Sequence, residues 1–164
     1  MIFQLVPRGA KLAAVFAAAA LMAACANNNT TGAVGGAGAA TPGSPQEFVV
    51  SVGDRVFFET DQTDLTPTAI ATLDKQAAWL RQYSRYTFTV EGHADERGTR
   101  EYNYSLGARR AQTVRDYLTS RGIAASRMRT ISYGKERPVA VCDDISCWSQ
   151  NRRAVTLLDG SPGA

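Results

Sequence analysis

The pattern of apolar and polar residues downstream of residue 46 predicts two helices set between short strands. The first helix is predicted by apolar residues that recur at helical spacing, namely Ile70, Leu73, Ala77 and Leu80. Thr66 suits its start because threonine is a common N-cap, and Pro67 suits the first helical position. The same spacing predicts a second helix from Leu106, Ala111, Val114 and Leu118. Gly122 follows it, where a glycine commonly ends a helix.

Short runs of β-type residues flank these helices. The first two, Phe48–Val50 and Arg55–Phe58, are separated by a Gly53-Asp54 turn signal and predict a hairpin or a bent strand. Three later strands are predicted at Tyr86–Glu91, Arg129–Tyr133 and Ala154–Leu158. Helices between strands favour right-handed crossovers. The predicted fold class is therefore α+β, a βαβαββ mixed sheet with the helices packed on one face.

The first 24 residues have the organisation of a cleaved signal peptide. Arg8 and Lys11 supply a positive region, and Leu12–Leu21 supplies an apolar run too short to span a bilayer comfortably. Small residues directly before Cys25 resemble the bacterial lipoprotein signal, so Cys25 is the predicted lipidation site. Several acyl chains would anchor the protein firmly, because each buried methylene contributes about 0.8 kcal/mol. The alternative is an ordinary secreted protein with an unmodified Cys25.

Composition divides the rest of the chain. Residues 25–45 are mostly Asn, Thr, Gly, Ala and Pro without an apolar period, which predicts a flexible linker after the lipidated cysteine. Residues 46–160 form the predicted domain, and residues 161–164 a disordered tail. The formal charge of +3 comes from 18 basic and 15 acidic residues. Because the basic residues are dispersed among acidic ones, the charge gives no reason to expect nucleic acid as a partner.

The stretch Val90–Arg110 carries the candidate chemistry. A predicted strand ends near Gly92, a charged loop with Asp95 follows, and the next helix presents Arg109 and Arg110 near its start. Asp95 can accept from an ammonium, and the planar fork of Arg110 matches a carboxylate. These residues predict a pocket for a ligand that carries both charges on one carbon. An intramolecular salt bridge between Asp95 and Arg110 is the alternative.

Metal binding and catalysis are weaker interpretations of the same residues. His93 is the only histidine, and no second cluster of ligand-type residues completes a set, so neither a metal nor another cofactor is expected. Ser105 lacks the context of a nucleophile elbow. A glycosidase that uses Asp61 and Asp95 as paired carboxylates stays open as the enzymatic alternative.

Five motifs follow one another between residues 91 and 155. They are Glu91-Gly92-His93-Ala94-Asp95-Glu96-Arg97-Gly98-Thr99, Glu101-Tyr102-Asn103, Leu106-Gly107-Ala108-Arg109-Arg110-Ala111, Ser132-Tyr133-Gly134 and Asn151-Arg152-Arg153-Ala154-Val155. Together they resemble the family of OmpA-like peptidoglycan-binding domains, and the resemblance covers residues 48–158. It implies the OmpA-like fold and non-covalent binding of the diaminopimelate side chain of the peptidoglycan stem peptide.

The resemblance also implies which residues bind this ligand: Asp95, Arg110, Asp61, Asn103 and Leu106. Asp95 takes the place of the family's acidic contact, and Arg110 that of its helix arginine. The sequence departs from the family pattern at two places. Ala94 stands where a threonine is usual, and Phe58-Glu59-Thr60-Asp61 replaces a Phe-Asp-Phe-Asp loop.

The resemblance, the predicted lipid and the linker together imply an outer-membrane lipoprotein without enzymatic activity. Such a protein would face the periplasm and tether the outer membrane to the cell wall. The resemblance further implies TolB, a β-propeller protein, and other Tol proteins as partners in envelope constriction and cell division. A protein-interaction module that acts mainly through TolB is one alternative, and a peptidoglycan-directed hydrolase is another.

Cys142 and Cys147 close a six-residue loop. In an oxidising periplasm we expect a disulfide between them. The loop-closure entropy predicts that it stabilises the fold by roughly 2 kcal/mol. Two free thiols or a redox pair are the alternatives, although the spacing is wider than that of a Cys-x-x-Cys motif.

Overall fold

The computed structural model describes residues 40–160. The predicted signal peptide (1–24), the predicted lipidation site Cys25, most of the predicted linker and the predicted tail (161–164) lie outside the described residues. The elements follow in the order α1 (Pro45–Glu47), a π-helical segment (Phe48–Gly53), β1 (Arg55–Phe57), α2 (Pro67–Gln82), β2 (Phe88–His93), α3 (Arg100–Ser120), a 3₁₀ turn (Ala125–Arg127), β3 (Met128–Gly134), α4 (Ile145–Asn151) and β4 (Arg153–Leu158).

The four strands form one mixed sheet in the order β1-β4-β2-β3. β2 and β3 are parallel, with Val90 opposite Thr130, and β4 runs antiparallel to both β1 and β2. Helix α3 connects the two parallel strands, as a crossover between parallel strands requires. The mixed α+β fold predicted from the sequence is confirmed.

Helix α2 begins where the sequence predicted, at Pro67, whereas α3 begins at Arg100, six residues before the first residue of its predicted apolar stripe. The Thr66 hydroxyl accepts from the backbone N–H of Ala69 at 3.1 Å and caps α2. The Thr99 hydroxyl caps α3 in the same way through Tyr102. The apolar stripes of both helices face the sheet, and the core is formed chiefly by Leu73, Ala77, Leu80, Phe88, Val90, Ala111, Val114 and Leu118.

Two glycines allow α3 to lie directly on the sheet. A Cβ on Gly92 of β2 would lie 1.8 Å from the carbonyl oxygen of Gly107, and a Cβ on Gly107 would lie 2.5 Å from Oγ of Ser132. Neither residue can carry a side chain without the helix moving away from the strand. This close approach determines how far the side chains of α3 reach past the end of β2.

The chain differs from the sequence prediction before β1. The run Phe48–Val50 was predicted as a strand, but Phe48–Gly53 is helical. Phe48 is fully buried, with its ring centroid 4.9 Å from that of Trp79, whereas Val49 and Val50 are exposed. Packing on α2 therefore overrides the β propensity of the valines.

The end of the predicted linker is also part of the packed structure. Gly43 is buried, and its carbonyl oxygen accepts from Arg85 at 2.7 Å and from the Tyr86 hydroxyl at 2.8 Å. The Glu47 carboxylate accepts from Nε1 of Trp79 at 2.7 Å. These hydrogen bonds between distant parts of the chain are not visible in the composition on which the boundary at residue 45 rested.

The connection between β3 and β4, predicted as a loop, contains α4. Asp144 caps this helix by accepting from the backbone N–H of Ser146 at 2.7 Å. Cys142 and Cys147 form the expected disulfide, with Cα atoms 5.7 Å apart. Buried Asn151 holds the same connection through hydrogen bonds to the backbone of Val139 and Ala140.

Among residues 40–160, no helix combines the length and the apolar character needed to cross a membrane.

Candidate functional site

A cavity of about 270 Å³ opens where β2 ends and α3 begins. It is lined by Thr60, Asp61, Asp95, Arg97, Gly98, Tyr102, Asn103, Leu106 and Arg110. All five residues that the sequence and the family resemblance singled out as ligand-binding therefore lie around one cavity. Lining a cavity does not by itself make a residue a ligand-binding residue.

Arg110 is a fully buried cation at the base of this cavity. It lies ten positions into α3, and not near the helix start as the sequence suggested. Its guanidinium donates to three backbone carbonyls, those of Gln62 at 2.9 Å, His93 at 2.8 Å and Glu59 at 3.2 Å. These bonds fix the plane of the guanidinium relative to both the β1–α2 loop and the end of β2.

The charge of Arg110 has no carboxylate partner among residues 40–160. Its hydrogen bonds all go to neutral carbonyls, and its ring contact is Phe58, 5.1 Å from the guanidinium carbon. Burial, with repulsion from Arg152, lowers the pKa of Arg110 to about 10 despite the opposing effect of Asp95 and Asp61. The site therefore holds a buried positive charge that an incoming carboxylate would neutralise.

Asp95 carries the opposite charge and is held by other arginines. Its carboxylate accepts from Nη2 of Arg97 at 2.7 Å and from Nη1 of buried Arg152 at 3.4 Å. Burial disfavours the ionised carboxyl, but the hydrogen bonds and charges of Arg97, with a smaller contribution from Arg152, outweigh it and hold the pKa of Asp95 below its ordinary value. Asp95 is therefore a carboxylate at neutral pH.

Asp95 and Arg110 do not form the intramolecular salt bridge that the sequence left as an alternative. The partners of Asp95 are Arg97, whose side chain is 40% exposed, and Arg152, whose side chain is 5% exposed. Arg152 also donates to the Phe58 carbonyl at 3.0 Å, so it serves as a structural support for Asp95. Arg97 is the more exposed partner, and its guanidinium carbon also lies 4.2 Å from the centroid of the Trp148 ring.

The remaining predicted residues form the walls of the cavity. Asp61, with the uncommon φ of 60°, accepts a hydrogen bond from the Tyr102 hydroxyl. Asn103 is buried and donates to the Arg97 carbonyl at 2.7 Å, which orients the loop that carries Asp95. Leu106 supplies a buried apolar surface. Arg109, the neighbour of Arg110, is exposed.

The sequence did not single out three residues of the cavity as ligand-binding, namely Arg97, Gly98 and Tyr102. Tyr102 had a detectable signal, because it lies four residues before Leu106 and eight before Arg110 on one helix face. The bond between Arg97 and Asp95 could not be read from the motif. Thr60, at one of the two departures from the family pattern, does line the cavity.

His93 points away from this cavity. Its ring is 2% exposed and stacks on Tyr133, with centroids 5.6 Å apart, and neither ring nitrogen has a hydrogen-bond partner. Burial, followed by the charges of Arg153, Arg137 and Arg55, lowers its pKa to about 3. In the described part of the chain, no three His, Cys, Asp or Glu side chains are grouped as a metal site would need.

The four charged residues that line the cavity sum to zero, with two carboxylates (Asp61, Asp95) and two guanidiniums (Arg97, Arg110). A neutral cavity with fixed charges of both signs suits a ligand that is itself a zwitterion, because each end finds its opposite. The helix that carries Arg110 and the strand end that precedes Asp95 are rigid supports for such recognition.

Comparison with known proteins gives consistent results. Residues 57–152 match the OmpA family. The peptidoglycan-associated lipoprotein of Rhizobium meliloti (strain 1021) is 71% identical over 126 residues, which are 77% of this chain and 72% of that protein. The peptidoglycan-associated lipoprotein of Pseudomonas aeruginosa is 50% identical over 97 residues, 59% of this chain and 57% of that protein.

Solved structures agree with the fold. The crystal structure of the peptidoglycan-associated lipoprotein from Burkholderia pseudomallei has 35% identity and a TM-score of 0.66, over 70% of this chain and 99% of that one. The C-terminal domain of MotB from Helicobacter pylori has a TM-score of 0.61 at 22% identity, over 66% of this chain and 85% of that one, which is a likeness of fold alone.

Proposed function

Since this chain belongs to the OmpA family, we propose that its domain binds peptidoglycan non-covalently through the free end of diaminopimelate in the stem peptide. The free end of this residue is a zwitterion, with an ammonium and a carboxylate on one carbon. The relatives named above are peptidoglycan-associated lipoproteins, and we propose peptidoglycan as the ligand of this chain as well.

The observation that carries the proposal is the unneutralised guanidinium of Arg110 beside the carboxylate of Asp95 in one cavity. A ligand carboxylate on Arg110 would neutralise a buried cation and form charge-assisted hydrogen bonds. Three nitrogens of Arg110 already donate to carbonyls, so the guanidinium is oriented before the ligand arrives. Pre-orientation lowers the entropy cost of binding.

The ligand ammonium would bind Asp95 from the open side of the cavity. A carboxylate has about four acceptor positions, and the structural partner Arg152 uses one of them. Arg97 occupies positions that the ligand would take, since its side chain is 40% exposed, against 5% for that of Arg152. Binding would then replace the Asp95–Arg97 ion pair with a partly buried pair between Asp95 and the ligand ammonium. The hydrogen bond from Arg152 to Asp95 would remain.

A lipid on Cys25 would complete the function by holding the chain in the outer membrane, with the domain in the periplasm and the wall as its ligand. In this proposal the protein is a tether and has no catalytic role. Asp95 is a poor general acid for a glycosidase, because its pKa is lowered and a general acid must be protonated near the working pH. Purified sacculi that release no soluble fragments on incubation with the protein would support this part.

The family resemblance adds TolB and other Tol proteins as partners in envelope constriction. One observation favours a protein partner in addition to the wall. The β3–β4 connection exposes three aliphatic side chains, with Val139 at 53%, Val141 at 89% and Ile145 at 60% exposure. Exposed apolar side chains that form one patch mark interaction surfaces. If TolB is the main ligand, its binding should survive substitutions at Asp95 that abolish binding to the wall.

The test of the main proposal is a calorimetric titration with a diaminopimelate-containing muropeptide. Asp95→Asn removes the charge at nearly constant shape, and Arg110→Lys keeps the charge but removes the fork. We expect binding by the parent and a loss of about 2–5 kcal/mol for Asp95→Asn, with a smaller loss for Arg110→Lys. A folded parent that does not bind the muropeptide would overturn the proposal.

A further inference from the structure

A second cavity lies on the other side of the first turn of α3. Its volume is about 300 Å³, and it is lined by Arg100, Tyr104, Ser132, Tyr133, Gly134, Glu136 and Arg137. The proposed function does not use this cavity. Arg100 and Tyr104 are four residues apart and therefore share a helix face, which differs from the face that Tyr102 and Leu106 present to the first cavity.

The two cavities differ in charge. The charged residues of the first sum to zero, whereas the second is lined by two guanidiniums and one carboxylate and has a net charge of +1. Arg100 pairs with Glu136 at 3.0 Å. The guanidinium of Arg137 lies 3.6 Å from the centroid of the Tyr133 ring. Its ion pair with Glu91 is long, at 4.0 Å. Arg137 is therefore oriented by stacking and keeps donors for an anion.

The backbone around the second cavity is fixed. Ser132 donates to the Tyr104 carbonyl at 2.7 Å, which joins β3 to the first turn of α3. Gly134 approaches that turn so closely that a Cβ would lie 2.9 Å from the backbone nitrogen of Tyr104. Arg153 donates to the Arg137 carbonyl at 3.1 Å. The exposed arginines and the 58% exposed ring of Tyr104 are thus displayed from a rigid base.

From this arrangement we infer that the second cavity binds a main-chain carboxylate of the same stem peptide whose diaminopimelate end occupies the first. The inference rests on the proposed function. A ligand held by the end of one side chain must continue across the neighbouring surface. The two cavities share the start of α3 as a wall, and an α-helix with its side chains is about 10–12 Å across, a distance that a few extended residues span. One peptide can therefore reach both.

One carboxylate of a stem peptide satisfies this chemistry, that of the D-glutamate that precedes diaminopimelate. It is a planar anion that a guanidinium recognises with parallel hydrogen bonds. The flat face of Tyr104 beside it suits a peptide plane or a sugar ring.

The experiment measures the affinity of the purified protein for two ligands, free diaminopimelate and a disaccharide tripeptide that contains it. The variants are Arg100→Gln, Arg137→Gln and the double substitution. The control is Arg129→Gln, which removes an arginine of the same exposure (73% against 72% for Arg100) from a comparable single ion pair, with Asp159. Calorimetry is done at low ionic strength, where exposed charge pairs contribute most.

We expect the double variant to lose about three- to tenfold in affinity for the tripeptide ligand, as exposed ion pairs contribute modestly. Its affinity for free diaminopimelate should equal that of the parent, and Arg129→Gln should change neither. Amidation of the D-glutamate carboxylate should reproduce the loss in the parent.

Equal affinity of the parent and the double variant for the tripeptide ligand would overturn the inference while leaving the proposed function intact. An equal loss for both ligands would also overturn it, because the arginines would then act on the first cavity. A parent that binds neither ligand overturns the proposed function and this inference together.

Discussion

Two arginines in this domain have the same kind of hydrogen-bond partners, three backbone carbonyls each, but different surroundings. Arg110 donates to three backbone carbonyls at the end of the sheet where the cavity opens. Arg127 also donates to three, those of Leu80 at 3.0 Å, Tyr83 at 3.4 Å and Tyr86 at 2.9 Å. Burial lowers the pKa of both. The comparison separates the use of an arginine as a structural support from its use as a receptor.

The difference lies in what neutralises each charge. The carbonyls that receive Arg127 include those of Leu80 in the last turn of α2 and Tyr83 just after it, where the helix dipole is negative, and the side chain is partly open to water. The carbonyls that receive Arg110 belong to a loop and a strand end, and its side chain has no solvent exposure. The fold therefore stabilises the charge of Arg127, whereas the charge of Arg110 is left for a ligand to neutralise.

The largest effect is expected from Gly92→Ala, which disturbs the contact between β2 and α3, the helix that carries Arg110. The added Cβ would meet the Gly107 carbonyl and push α3 away from β2. We expect a loss of about 3 kcal/mol or more in the free energy of unfolding, measured by urea denaturation. Gly122→Ala is the control, since a Cβ there meets nothing within 4 Å and costs only the positive φ, about 1 kcal/mol. Similar losses for both would contradict the close-packing argument.

Exchanging each arginine for glutamine tests the comparison directly. Arg110→Gln should lower affinity for the muropeptide by about 2–5 kcal/mol. Arg127→Gln should lower the free energy of unfolding by about 1–3 kcal/mol, because the carbonyls of α2 lose their donor, and should leave the affinity unchanged. Calorimetric titration and chemical denaturation of both variants give the four values. An equal loss of affinity in the two variants would remove the distinction between support and receptor.

Acid sensitivity should be concentrated at the Arg110 end, where His93 is buried. The folded pKa of about 3 lies below the unfolded value of 6.5, so the stability from His93 is complete above pH 6.5 and is lost as the pH falls toward 3. The slope approaches about 1.4 kcal/mol per pH unit. Asp95 adds loss of the same sign only below pH 3.8, while partly buried Glu91, whose pKa is raised, acts in the opposite direction.

Replacing His93 with phenylalanine keeps a ring against Tyr133 and removes this titration. Between pH 6.5 and 4.5 we therefore expect the parent to lose about 2 kcal/mol more than His93→Phe, as measured by urea denaturation at several pH values. Parallel pH profiles for the two proteins would show that the ring at position 93 is not the acid-sensitive group.

The smallest effect is expected from removing the disulfide, which lies outside both arginine sites. Replacing Cys142 and Cys147 with serine should cost about 2 kcal/mol at most, because Asn151 continues to hold the connection through three hydrogen bonds. Muropeptide affinity should be unchanged. An unchanged melting temperature would argue against a structural role for the disulfide, and a large loss of affinity would connect this loop to the cavity.

The sequence predicted more of the fold than of the site. Helical spacing placed α2 and α3, and Thr66 and Gly122 marked two of their ends correctly. The family motifs selected five residues that do surround one cavity. The partners of those residues were not predictable, because the bond between Asp95 and Arg152 spans 57 positions and the bond between Arg110 and Glu59 spans 51.

By itself, the sequence determined the two long helices and the four strands of the sheet, since apolar periodicity and capping residues act over a few positions. It also placed three of the four charged residues that line the first cavity, Asp95, Arg97 and Arg110, in one stretch. Only the tertiary structure decided that Asp95 is supported by Arg152 and that Arg110 faces carbonyls and no carboxylate. It also decided that Phe48–Gly53 winds into a helix on Trp79. The reason is that burial and charge pairing depend on which distant backbone groups meet, and no local pattern encodes those meetings.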